Sequence, residues 1–199
     1  PYGWGPLPAI AVIHVDGIIV RGEAGRPGAL MPDAISDEAF RDSLLEAFSS
    51  SRVRVVIIRV NSGGGSALAS DFMWHYLVEM KKRYPKPVVI SFGNMAASGG
   101  YYIACSGDPI YASPGTITGS IGVIMGKVSL KELYGKIGVD REVISLSEFA
   151  DVFSEAKDLS PKEREMLQRG VDFTYRLFLS RVMESRKIGA DDIEKAAQG

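Results

Sequence analysis

The sequence predicts an α/β fold around a parallel sheet, and three observations carry that expectation. Short β-branched runs alternate with segments of helical period, giving a βαβαβ order through residue 92. Residues 53–60 (VRVVIIRV) form a nearly continuous apolar run, the pattern of a strand buried on both faces of a parallel sheet. Glycine-rich turns follow two strands directly, where open α/β sheets place their ligands.

Taken in order, residues 8–20 read as a strand, a turn at Asp16-Gly17 and a second short strand. Residues 22–32, with three glycines and two prolines, read as a loop. Ile35, Phe40, Leu44, Leu45 and Phe48 have helical spacing and predict a helix over 34–48. After the 53–60 strand come Asn61-Ser62-Gly63-Gly64-Gly65-Ser66 and a helix over 67–83, whose inner face is expected at Leu68, Phe72, Tyr76, Leu77 and Met80. Pro85 and Pro87 end that helix, and residues 88–92 return as a strand.

Beyond Tyr102 the signals shorten. Residues 109–112 and 115–124 carry only brief signals, and Ser129 with Glu132 reads as a capping box for a short helix. Residues 141–144 are expected to form a strand and 147–158 a loop. Ser160-Pro161 starts a helix, with Leu167, Val171, Phe178 and Val182 on one side, running to about residue 185. A last helix spans 190–197. The whole is expected to be a single domain over residues 1–199.

Composition narrows the function classes. A net charge of −1 gives no electrostatic argument for nucleic acid or for an anionic surface. One cysteine excludes an internal disulfide, and with only two histidines leaves little to build a metal site from. No apolar run reaches the roughly 18 to 20 residues that span a bilayer. The chain opens on Pro1 and reads as part of a longer protein, so an upstream signal or anchor would not be seen.

Chemistry concentrates at Asn94-Met95-Ala96-Ala97-Ser98-Gly99-Gly100-Tyr101-Tyr102. A serine at a strand-to-helix turn, flanked by alanines and glycines, suits an exposed nucleophilic hydroxyl, with the next helix's first amides facing the same space. The competing reading is a helix N-cap serine. Gly63-Gly64-Gly65 does not complete a dinucleotide fingerprint, and the run from Gly122 to Lys127 is one residue short of a phosphate-binding loop, with Val128 in place of the metal-binding hydroxyl. Both histidines precede Ser98, against the α/β-hydrolase triad order. His75 reads as an ion-pair residue between Asp71 and Glu79, and His14 as a core histidine. The remaining base is a lysine, which must be desolvated to act near neutral pH. Spacing alone singles out none.

Three stretches together resemble the signal peptide peptidase A family of Ser-Lys proteases: Arg59 to Ser66 (RVNSGGGS), Met95 to Tyr102 (MAASGGYY) and Thr118 to Ile124 (TGSIGVI). The likeness runs from about Ile10 to the C-terminus, and the family usually has proline where this chain has Gly63. It implies a ClpP/crotonase-like superhelix of ββα units with Ser98 as nucleophile. It assigns the oxyanion hole to the amides of Gly65 and Gly99, and to Ser120 the hydroxyl that orients the lysine. No cofactor and no metal are expected. The resemblance also implies a membrane anchor, a catalytic domain outside the cytoplasm, a homo-oligomeric ring, and extended apolar peptides left from signal peptides as substrates. The family's general-base lysine falls at position 150, where this chain has Ala150. Two readings follow: a Lys-to-Ala replacement in a chain that folds but cleaves poorly, or another base, Lys157 being nearest. The rival classes are a crotonase-type acyl-CoA enzyme and a non-catalytic peptide-binding pseudoprotease.

Overall fold

The computed structural model describes residues 7–22 and 33–198; the 22–32 loop lies almost wholly outside them. Six parallel strands form one sheet: β1 (Ala9–Val20), β2 (Ala34–Ser36), β3 (Val53–Gly65), β4 (Val88–Ala97), β5 (Ile110–Tyr111) and β6 (Ile117–Gly119). The order is β2-β1-β3-β4-β5, with β6 also pairing to β4. Helices α1 (Asp37–Ser49), α2 (Ala67–Arg83) and α3 (Gly99–Ala104) follow β2, β3 and β4, and α4 (Lys131–Lys136), α5 (Pro161–Arg186) and α6 (Ala190–Gln198) complete the chain. This is the α/β fold expected from the alternation.

Register explains where the core lies. Ile13, Ile58 and Ile90 align across β1, β3 and β4, as do Val15, Val60 and Phe92, and all six are buried. Phe40, Leu44 and Phe48 of α1 and Met73 and Leu77 of α2 join them in one core. The 53–60 strand is therefore buried on one face, not two. On the other face Ile10 and Val12 remain 62% and 52% exposed, while α1 and α2 pack against the first.

Several local expectations are corrected by tertiary context. Asp16-Gly17 is no turn: β1 runs through it with a register shift, Gly17 sits at φ +77°, and Ile18 N–H donates to the Asp33 carbonyl at 3.0 Å. A Cβ on Gly17 would lie 2.0 Å from that carbonyl oxygen, so the bulge requires glycine. The 34–48 helix starts later, since residues 34–36 pair with β1 and the Ser36 hydroxyl caps α1 through Ala39 N–H. Helix α2 is rotated from its expected face. It buries Ala69, Ser70, Met73, Trp74 and Leu77, while Leu68 is 53% exposed, because small residues let α2 approach α3 closely. His14 lies on the open sheet face, 3.5 Å from Asp16 and not in the core. His75 is exposed, and its expected partner Asp71 is taken by Arg181 and Tyr102.

The described residues divide into two compact units, Val123–Arg176 and the remainder. In the larger one, a second core gathers Trp74, Tyr102, Cys105, Ile121, Phe178, Val182 and Ile193. Tyr102 stacks on Phe178 with ring centroids 4.4 Å apart, and its hydroxyl donates to Asp71 at 2.8 Å. Arg181 donates to the same carboxylate oxygen at 3.0 Å and lies over the Trp74 ring.

In the smaller unit the 141–144 strand does not form. Ile144 is 85% exposed, and among the described residues no strand lies beside it to accept its hydrogen bonds. Nor does Ser129 cap α4: its hydroxyl donates to Asp158 at 2.7 Å, and Leu130 occupies the cap position. The start of α5 is as expected, with Glu163 and Ser160 exchanging backbone-to-side-chain bonds at 2.8 and 3.3 Å in a capping box. Leu167 and Val171 are only half-buried, so the apolar side of α5 is engaged at Phe178 and Val182. Lys157 bridges Asp151 and Glu163, each at 2.7 Å.

Two outcomes follow. Phe40→Ala should destabilise the protein by about 3 to 5 kcal/mol in denaturant unfolding, and Leu68→Ala by well under about 1 kcal/mol. The second concerns pH. The Lys157 ammonium, with the Ser160 amide, holds the Glu163 carboxyl down from 4.5 to about 2. Between those values the unfolded chain binds more protons at this site than the folded one. Its contribution is therefore complete above pH 4.5 and is lost as pH falls through about 2. Melting curves across that window should fall less steeply for Glu163→Gln than for the parent.

Candidate active site

β4 delivers Ser98 to the carboxyl end of the sheet, and α3 leaves from it. The backbone there separates the two readings of this serine. An N-cap residue is extended and its side chain accepts a bond from the helix. Ser98 has φ +50° and ψ −121°, and its side chain makes no capping bond. Its backbone is held at both ends instead: Ser98 N–H donates to the Gly119 carbonyl and its own carbonyl accepts from Tyr102 N–H, both at 2.9 Å. A non-glycine residue kept in so sparsely populated a conformation carries strain that its surroundings must offset. Such strain is common where a side chain has to be aimed.

The Gly64 backbone abuts this turn. A Cβ on Gly64, whose φ is +99°, would lie 2.6 Å from Gly99 N, 2.9 Å from Ser98 Cβ and 3.1 Å from Ser98 Oγ. Only glycine fits, both for space and for dihedral. Gly64 N–H is engaged by the Ser62 hydroxyl at 3.1 Å, and Ser66 N–H by the Ile19 carbonyl at 2.8 Å, both on the β1 side. Gly65 lies between these two bonded amides. Gly99 N–H, at the first position of α3, belongs to the group of amides that a helix start leaves without an intrahelical acceptor.

Ser120 comes to the same place by register. β6 pairs with β4 through Met95–Ile117, Ala96–Thr118 and Ala97–Gly119; Ser98 and Ser120 are the residues that follow the two strands, and Ser98 N–H donates to the Gly119 carbonyl. Ser120 also has φ +50° and is exposed. Gly65, Ser98 with Gly99, and Ser120 thus lie at the ends of β3, β4 and β6.

Ala150 lies in the smaller unit, in a turn where its N–H donates to the Ser147 carbonyl at 3.2 Å, and it is exposed. An alanine methyl there can neither accept nor return a proton. Lys157, the alternative base, is bound by two carboxylates that push its ammonium above the ordinary lysine range. A base needs the opposite shift. Cys105, the remaining nucleophile type, is fully buried, and burial pushes its thiol up to about 12, which leaves it inert.

Sequence reasoning missed the roles of Asn61 and Ser62. The Asn61 Oδ1 accepts from Asn94 and Met95 N–H at 3.1 and 3.3 Å, and Ser62 Oγ donates to the Gly17 carbonyl at 2.6 Å. Their position just past a β-branched strand was the available signal, since Asn and Ser side chains there have backbone groups to bind.

Residues 80–199 match peptidase family S49. Among relatives, the chain is 37% identical to "Serine protease SPPA, chloroplastic" of Arabidopsis thaliana, covering 96% of this chain and 28% of that protein. It is 38% identical to "Protease 4" of Salmonella typhi, covering 96% and 29%, and 29% identical to "Putative signal peptide peptidase SppA" of Enterococcus faecium, covering 96% and 54%. It therefore spans less than a third of the length of the first two. With the parallel sheet and the three motif stretches in place, the chain belongs to peptidase family S49, the family of SppA.

Proposed function

We propose that this chain is the serine-bearing part of a peptidase that cleaves extended apolar peptides through Ser98. The observation that carries the reading is the Ser98 backbone, strained and tied at both ends, with a side chain that caps nothing. In this reading Ser98 Oγ attacks the scissile carbonyl and the amides of Gly65 and Gly99 stabilise the oxyanion. Ser120 orients a lysine that takes the serine proton and later returns it to the leaving amine. In this reading every role but one is assigned to a residue of this chain. The position of the base, 150, holds alanine, and Lys157 is engaged elsewhere.

Taken alone, then, these 199 residues are expected to fold and to cleave very poorly. The relatives' names support proteolysis. Remnant signal peptides as substrates, presented by strand addition, fit the family resemblance. So do a homo-oligomeric ring and a membrane anchor outside these residues, with the catalytic part outside the cytoplasm. Among the described residues no helix is long and apolar enough to cross a membrane.

The test compares this chain, Ala150→Lys, and Ala150→Lys with Ser98→Ala on a fluorogenic peptide of small and apolar residues. Activity is expected in Ala150→Lys alone, at a level on the order of 10⁶-fold above the others in turnover. An unaltered longer protein that is active while this chain is inert would place the base outside these residues and leave Ser98 as nucleophile. Equal activity with and without Ser98 would overturn the reading, and peptide binding without cleavage in every form would favour a binding module.

A further inference from the structure

We infer that Asn61 and Ser62 are positioning residues that set the spacing between the oxyanion amides and Ser98; this rests on the reading of Ser98 as nucleophile. The two side chains leave the end of β3 in opposite directions. Ser62, 1% exposed, donates to the Gly17 carbonyl at the β1 bulge and accepts from Gly64 N–H. Asn61 turns to β4, where its Oδ1 accepts from both Asn94 and Met95 N–H. Both sit where the regular ladder fails: the β1–β3 register shifts between Asp16 and Ile18, and the β3–β4 register shifts between Val60 and Ser62. Side-chain oxygens thus replace the missing backbone bonds on each side of β3.

The consequence is geometric. By bonding both Gly64 N–H and the Gly17 carbonyl, the Ser62 hydroxyl ties the glycine segment that abuts Ser98 to the β1 bulge. By holding Asn94 and Met95, Asn61 fixes the segment three residues before Ser98. Two glycines make room for this. A Cβ on Gly93 would lie 2.7 Å from Asn61 Oδ1, and one on Gly100 would lie 2.7 Å from the Ser62 carbonyl oxygen and 3.4 Å from its Cβ. The two sides of the site are thereby referred to adjacent residues of one strand. A displacement of about 1 Å between nucleophile and oxyanion donors is enough to cost on the order of 100-fold in transition-state stabilisation.

The test needs no general base. A peptide boronic acid with small apolar residues accepts the Ser98 oxygen lone pair at boron. An O–B bond forms, the serine proton leaves to solvent, and boron becomes a tetrahedral anion with a hydroxyl placed where the oxyanion would be. The same peptide ending in a carboxamide reports ground-state binding only. In this chain, Asn61→Ala and Ser62→Ala should each weaken the boronate by about 30- to 100-fold while changing carboxamide affinity less than about twofold. Asn61→Asp, which keeps the acceptor oxygens, should stay within about threefold of the parent for both ligands. Boronate binding unchanged in Asn61→Ala and Ser62→Ala would overturn the inference, as would equal losses for both ligands, which mark general loosening. If Ser62→Ala does not fold, the exposed Asn61 decides between these outcomes. A parent that forms no boron adduct, or an adduct that survives Ser98→Ala, would overturn the reading of Ser98 and this inference with it.

Discussion

Gly64 and Ser98 come so close at the end of the sheet that no side chain fits between them, and much of the site depends on that approach. A Cβ at Gly64 would sit within 3.1 Å of the Ser98 side chain and the Gly99 amide nitrogen. Two backbone segments at that distance place a hydroxyl and amide donors around one small volume. Tertiary-structure energy has to hold them there, since the Ser98 dihedrals are unfavourable in isolation. The parallel register supplies it. The buried rows of β1, β3 and β4 fix the strands, and the bulges beyond those rows let their ends diverge from regular pairing.

Burial then determines which groups stay chemically quiet. Cys105 is packed in the second core with its thiol pushed up to about 12, and the Tyr102 hydroxyl, also raised by burial, is bound to Asp71. Arg181 shares that carboxylate and braces Tyr102 from α5. Tyr102 also donates its N–H to the Ser98 carbonyl, so the packing of α5 is linked to the Ser98 turn through one residue. Ser98 differs from these groups in being half-buried and free of a capping bond.

The smaller unit obeys different physics. Its organising contacts are charged: Lys157 with Asp151 and Glu163, Arg141 with Glu155, Lys131 and Ser129 with Asp158. Ion pairs of this kind are sensitive to pH and salt, and an apolar residue such as Ile144 or Leu146 stays exposed beside them. The same pairing removes Lys157 as a base, because a lysine between two carboxylates is stabilised as the ammonium.

Local periodicity, capping and glycine conformational freedom were enough to specify the βαβ alternation, the Ser160–Glu163 helix start and the glycine-flanked turn at Ser98. Three motif stretches of the sequence also pointed to the family to which the chain belongs. That Asp16-Gly17 is a bulge within one strand, that α2 buries Ala69 and Ser70 in preference to Leu68, and that residues 141–144 form no strand follows from the assembled fold alone. Each of those outcomes depends on which backbone lies alongside, which short-range patterns do not encode. The roles of Asn61 and Ser62 fall in the same class. Their hydrogen-bond partners are 33, 34 and 45 residues away, at strand ends that meet only when the sheet is assembled.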